Sequence, residues 1–304
     1  DKTVTRNPHN LAHSPGGSSS GSAAAIAAGQ IPLAIGTQTG GSVIRPASYC
    51  GVFGMKPSFG SISRAGVLQT SQTLDQVGVF ASTLTGIGRL CDVIMTGAEG
   101  MMQATQSACD NPRCLVFDGL YDGIIESGVQ DAVSSVTASL GAAVTHIPAP
   151  EMIASYLAGH KAVYHVELAQ NLGAICDAKS ALVGPAAKAT VAIGRTHHSD
   201  VYDAAQGMRV RAIADLSSYF TSYDVLITPA ATSEAPLFDD GTGNPTCNAL
   251  WSFVGFPCIT LPLATGPTGL PVGVQLIGAM GADKKLLQIA KWFLDTYHDS
   301  RPAS

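Results

Sequence analysis

Apolar positions recur at helical spacing over Leu84–Met95 and Ser127–Leu140, and as short runs over Leu115–Asp118 and Ala143–Ile147. The strand–helix–strand unit between Leu115 and Ile147 marks an α/β fold. Helical spacing dominates from Pro150 to Tyr223, with breaks expected near Gly184-Pro185 and Gly194. Further strands are expected at Ile31–Ile35, Val225–Thr228, Cys258–Pro262 and Val272–Ile277, the last two separated by the turn-rich Ala264–Pro271. A helix over Ala282–Tyr297 closes the pattern. Near the start, Ser22–Gly29 predicts a short helix, because alanine is the best helix former. Thr37–Pro46 predicts a Gly-rich loop, and Gly51–Ile62 a loop with short strands. No repeat, low-complexity tail or linker interrupts the chain, so residues 1–304 are expected to form one domain.

Composition excludes several classes. Of 304 residues, 46% are hydrophobic and 13% charged, the opposite of a disordered chain. The net charge is −5 with no basic stripe, which argues against nucleic acid as a direct partner. Prolines break the longest apolar windows, so no membrane-spanning helix is expected. The seven cysteines are scattered, odd in number and free of C-x-x-C. That pattern fits free thiols in a reducing, cytoplasmic setting.

Three segments carry candidate chemistry: Gly16-Gly17-Ser18-Ser19-Ser20-Gly21-Ser22, Gly36-Thr37-Gln38-Thr39-Gly40-Gly41-Ser42-Val43-Ile44-Arg45-Pro46, and Asn248–Gly278 with its GFPCITLP and GLPVGVQLIG runs. A Gly-Gly-Ser loop brings backbone N–H groups close to a ligand, since glycine has no Cβ. Such groups can hold an oxyanion, and a serine ending the loop can attack if a base activates it. Either loop alone also fits a plain glycine turn with a serine helix cap.

With the Thr5-Arg6-Asn7-Pro8, Met55-Lys56-Pro57-Ser58, SQTLDQVG (71–78) and Thr228-Pro229 segments, the chain resembles the amidase signature family. The resemblance implies a mixed sheet covered by helices on both faces and a Ser–cis-Ser–Lys triad that hydrolyses amides. By position the nucleophile is Ser42 and the bridging serine Ser18, 24 positions apart as in the family. The bond before the bridging serine, here Gly17–Ser18, is expected to be cis. The family's oxyanion hole maps to the N–H groups of Thr39, Gly40, Gly41 and Ser42, and Gly17 and Ser19 flank the substrate. No cofactor or metal is implied. The partner is a small amide; a homodimer stays open.

The sequence departs from the family at two points. The family's lysine lies several tens of residues upstream of the bridging serine, whereas 17 residues precede Ser18 here. Lys2 stands in no matching motif, and Lys56 belongs to the structural GxKP motif. With Asp1 in place of Met, the expectation is an amino-terminally truncated amidase; a clipped two-chain enzyme and a dead scaffold or interaction homologue are the alternatives. Second, Gln38 stands where many members have Asp, and Arg45 lies three after Ser42. This TQTGGSVIRP form is similar to malonamidase-like members, in which the Arg binds a substrate carboxylate; Arg45 could equally be a loop tie. The runner-up function is an A-type subunit of an aminoacyl-tRNA amidotransferase, which works with partner subunits. The TQTGGSVIRP form disfavours it.

Weaker signals have plainer readings. Gly17–Gly21 matches G-x-S-x-G, but a polar, proline-containing stretch precedes it instead of the buried strand that motif needs. The Gly/Ser loop could cradle phosphate but lacks the Gly-Lys-Ser/Thr of a P-loop. His9 with His13, and His197-His198, lack the further ligands zinc needs. Cys50 and Cys258 are expected as core thiols. Asn248 and Trp251 are expected in a loop near the pocket, or as a turn anchor.

Overall fold

In the computed structural model, which describes residues 4–299, one eight-stranded sheet runs through the chain in the order β1-β3-β2-β7-β8-β6-β4-β5. In chain order the elements begin with α1 (Ser20–Ala27), β1 (Leu33–Gln38), α2 (Ile44–Tyr49), β2 (Phe53–Lys56) and β3 (Gln76–Ala81). Then come α3 (Leu84–Ile94), α4 (Met101–Ala104), β4 (Cys114–Asp118), α5 (Ser127–Ala138) and β5 (Val144–Pro148). Three helices follow, α6 (Ile153–Ala178), α7 (Pro185–Thr196) and α8 (Ser199–Tyr219). The rest is β6 (Val225–Pro229), α9 (Thr246–Val254), β7 (Cys258–Thr265), β8 (Pro271–Ile277) and α10 (Asp283–Asp299).

β4 pairs in parallel with both β5 and β6. Every other pairing is antiparallel, so the sheet is mixed as expected. Strand side chains alternate between two cores, because successive residues of a strand point to opposite faces. Cys114, Val225 and Ile227 join a core with α3, α5 and α10. Leu115, Phe117 and Leu226 join the other core, with α6, α8 and α9. Helices therefore cover both faces.

Four elements differ from the sequence-based expectation. β3 was not foreseen; all six of its residues are buried, so it lacks the alternation that marks a half-exposed strand. α9 replaces the expected loop around Asn248 and Trp251; it too is buried all round and has no polar face to betray a helix. α2 occupies the end of the expected loop, with Pro46 tolerated in its first turn. The break expected near Gly194 comes three residues on, at His197-His198 between α7 and α8, and Gly194 itself stays inside α7. It lets α7 cross α6 closely: a Cβ there would collide with the His165 carbonyl.

Candidate active site

The β1–β3 register ends at Gln38 opposite Gln76, and the next five residues turn the chain into α2. Gln38 is buried and clasps this turn. Its Oε1 accepts from the N–H groups of Val43 (2.8 Å) and Ile44 (3.0 Å), and its Nε2 donates to Ser252 Oγ (3.0 Å). Ser252, on α9, donates in turn to the Gly40 carbonyl at 2.7 Å. Asp75 accepts from Thr39 Oγ1 at 2.6 Å and from the Thr70 and Ser71 amides.

The turn has a polarity. Each carbonyl is tied back into the protein: Thr39 O to His160 Nε2 (3.1 Å), Gly40 O to Ser252, Gly41 O to the Arg45 amide (3.1 Å), Ser42 O to the Ser19 amide (3.4 Å). Among the described residues, the N–H groups of Thr39, Gly40, Gly41 and Ser42 have no acceptor. Four consecutive unpaired amides held by a fixed frame can receive a developing oxyanion without reorganising. A carbonyl only accepts, so His160 carries its proton on Nε2; burial on α6 lowers its pKa to about 4 and keeps it neutral near pH 7.

Glycine is required at Gly41. A Cβ there would lie 2.5 Å from Asn248 Oδ1. Asn248 cannot swing aside, because its Nδ2 donates to the Ala230 carbonyl (2.9 Å) and Gln275 Oε1 (3.3 Å).

Ser18, Thr39, Gly40, Gly41, Ser42 and Arg45 all line one cleft of about 740 Å³. The Gly17–Ser18 peptide bond is cis, as the family resemblance implies. Ser18 also faces a second, more open groove, which Ser19 shares. Ser19 does not line the cleft; its Oγ donates to the Thr37 carbonyl at 3.3 Å. Gly17 contributes its carbonyl, which accepts from Arg45 Nη2 at 2.7 Å.

Arg45 is a loop tie through one nitrogen and leaves the other two unpaired. Nη2 is a loop tie, reaching Gly17 and, at 3.5 Å, Thr242 Oγ1. Nε and Nη1 are buried without a partner. Burial lowers the Arg45 pKa from its ordinary value. Among the described residues no carboxylate pairs with it, although a buried charge is costly unless paired.

Lys56 is fully buried and spends its amine on Gln76 Oε1 (3.0 Å) and the Phe256 carbonyl (2.5 Å), the structural role expected of it. Lys2 lies outside the described residues. Among the described residues no lysine hydrogen-bonds to Ser18. The sequence reading missed the far side of the cleft: Leu157, His160, Lys161, Tyr164 and His165, on one face of α6. Their spacing was visible, but core helices show the same spacing.

The remaining candidates stay outside the site. His9 Nε2 meets the Cys50 carbonyl and His13 Nδ1 the Ala235 carbonyl, so each holds the backbone. Among the described residues no cluster of His, Cys, Asp or Glu could hold a metal. The seven cysteines are free, and burial pushes the Cys50 and Cys258 thiols up to about 12. Among the described residues no helix is long and apolar enough to cross a membrane.

Comparison with known proteins fits this geometry. The A-type subunit of glutamyl-tRNA(Gln) amidotransferase from Symbiobacterium thermophilum is 33% identical, over 99% of this chain and 71% of its own length. The solved structure of the equivalent protein from Thermotoga maritima matches with a TM-score of 0.80 at 27% identity, over 94% of this chain and 67% of that one. A chain from a vestigial protein complex, described as revealing the origins of an s-triazine catabolic enzyme, matches with a TM-score of 0.88 at 27% identity, over 96% and 68%. The model of the family described as Amidase matches residues 3–115 and 129–287, a span that holds both serines, the tied-back turn and its α9 support, and the chain belongs to that family.

Proposed function

We propose that the chain cleaves the carbon–nitrogen bond of a carboxylate-bearing amide through an acyl-enzyme on Ser42. The observation that carries this reading is the turn itself: four unpaired N–H groups beside two serines in one cleft. Ser42 Oγ attacks the amide carbon and gives its proton to Ser18, which passes its own to a neutral amine. The carbonyl oxygen becomes an oxyanion held by the N–H groups of residues 39–42. The tetrahedral intermediate collapses, the C–N bond breaks, and ammonia or an amine leaves with a proton. Water then hydrolyses the Ser42 ester. Arg45 holds the substrate carboxylate with Nε and Nη1, since a guanidinium matches both oxygens of a carboxylate.

The amine must be neutral to work. A free lysine has a pKa of ~10.4, so about one in 10³ is neutral at pH 7. An apolar site supplies the needed shift of roughly 3 units. The groove on the second side of Ser18 has Ile35, Ile62, Val77 and Ile94 in its lining and is open, so an amine seated there is neutralised only if the segment that carries it also covers the groove.

Ammonia release from carboxylate-bearing amides tests the reading. Ser42→Ala should lower the rate by about 10⁴-fold or more. A variant that keeps most of the rate removes Ser42 as nucleophile. A second reading, an A-type subunit of an aminoacyl-tRNA amidotransferase, draws on the name carried by the relative from Symbiobacterium thermophilum. It predicts co-purifying partner subunits and ammonia release that depends on them; release by the chain alone favours the simple amidase.

A further inference from the structure

The cleft holds more space than a short amide acid needs. Its volume of about 740 Å³ falls within the roughly 300–1,000 Å³ of sites that enclose drug-sized ligands. The serines and the turn occupy one side. The other side holds Leu157, Lys161 and Tyr164 of α6, together with Val67 and Leu68.

The charges in this cleft are lopsided. Arg45, Arg64 and Lys161 line it, and Asp75 is the one carboxylate among its described lining residues. Asp75 is already engaged by Thr39, Thr70 and Ser71. Arg64 Nη1 is engaged by the carbonyls of Ser71, Gln72 and Asp75. Lys161 is exposed and makes no hydrogen bond or ion pair among the described residues. Its neighbours are unsuited to balance it: burial first, and the Lys161 charge to a smaller extent, lowers the pKa of His160 and His165, and both rings offer it no anion. The chain as a whole is acidic, with net charge −5. A cationic cleft in an acidic protein selects anions.

We infer that the substrate carries a second anionic group at its far end, and that Lys161 is the counter-ion for it. The substrate then lies between Arg45 beneath the turn and Lys161 on α6, with Leu68, Val67 and Leu157 against the carbon chain between. This deepens the amidase reading and rests on it, since Arg45 anchors the near end.

The test is binding to the full chain carrying Ser42→Ala, measured by calorimetry at low salt. The probes are linear monocarboxylates and α,ω-dicarboxylates of three to ten carbons. Beyond the length that spans the two cations, a dicarboxylate should bind about 1.5- to five-fold tighter than the monocarboxylate of equal length, the range of a solvent-exposed ion pair. Lys161→Gln should erase that advantage and leave monocarboxylate affinity unchanged, and added salt should shrink it. The inference is overturned if dicarboxylates hold no advantage at any length, or if Lys161→Gln weakens both classes alike. Failure of the amidase reading of Arg45 shows separately: Arg45→Lys then leaves monocarboxylate affinity where it was.

Discussion

The two sides of the cleft are built in opposite ways. On the side of the turn, residues 38–45 are held by buried side chains from β1, α6 and α9, and each carbonyl from Thr39 to Ser42 has a partner. On the far side, Lys161 and Leu68 hang exposed, the latter with 69% of its surface open. The first side has its geometry settled before any ligand arrives, and a reaction needs that, because the donors must already stand where charge develops. The exposed residues of the second side can change one by one at little cost to the fold. On the proposed mechanism the chemistry and the Arg45 anchor fall to the rigid side, and the choice of the substrate's far end to the loose one.

Three changes probe that contrast. Gly41→Ala strikes the rigid side hardest: with Asn248 unable to move, the turn must shift, so kcat should fall about 10²- to 10³-fold, as on losing an oxyanion donor. A stability loss of about 1–3 kcal/mol should accompany it in denaturant melts. If kcat survives, the amides of the turn are not where the charge develops.

The second change is pH. His160 titrates at about 4 in the folded protein against an ordinary value near 6.5. Between those values the unfolded chain binds more protons, so stability is greatest above pH 6.5 and falls as pH drops toward 4. The loss at the acid end should be about 3 kcal/mol. His160→Gln, whose amide nitrogen stands near the Nε2 position and can still donate to the Thr39 carbonyl, should flatten that slope in melts followed from pH 7 to 4. An unchanged slope would mean that His160 is not the buried neutral group.

The smallest effect is expected on the loose side. Leu68→Ala should change stability by less than about 0.5 kcal/mol and leave kcat alone, moving only KM. A fall in kcat would show that this side takes part in the chemistry and would dissolve the contrast.

The same division governed what the sequence disclosed. The rigid side was readable, because it is written in one run from Gly36 to Pro46 whose glycines and serine have few other uses. Gln38 was noted only as a departure, since its role as the clasp needs Val43, Ile44 and Ser252 in three dimensions. The α6 face was hidden, because a cleft-lining His160 or Lys161 has the same helical spacing as a core or surface residue. β3 and α9 escaped for a related reason. Both are buried on every side, and periodicity reports only elements with one wet face and one dry face. The β4–α5–β5 unit, with an exposed face on its helix, was found within a few residues at each end.

The strand order also says something about how the protein is made. β7 and β8 sit in the middle of the sheet, between β2 and β6. The edge of β2 at Gly54–Lys56 pairs with Thr260–Cys258, about 200 residues later in synthesis. At the roughly 5–20 residues per second of translation, that edge waits on the order of 10–40 s for its partner. An unpaired strand edge invites pairing with other chains. Until the last two strands emerge, the four-residue edge of β2 stays open, and its shortness limits how far another chain can pair with it.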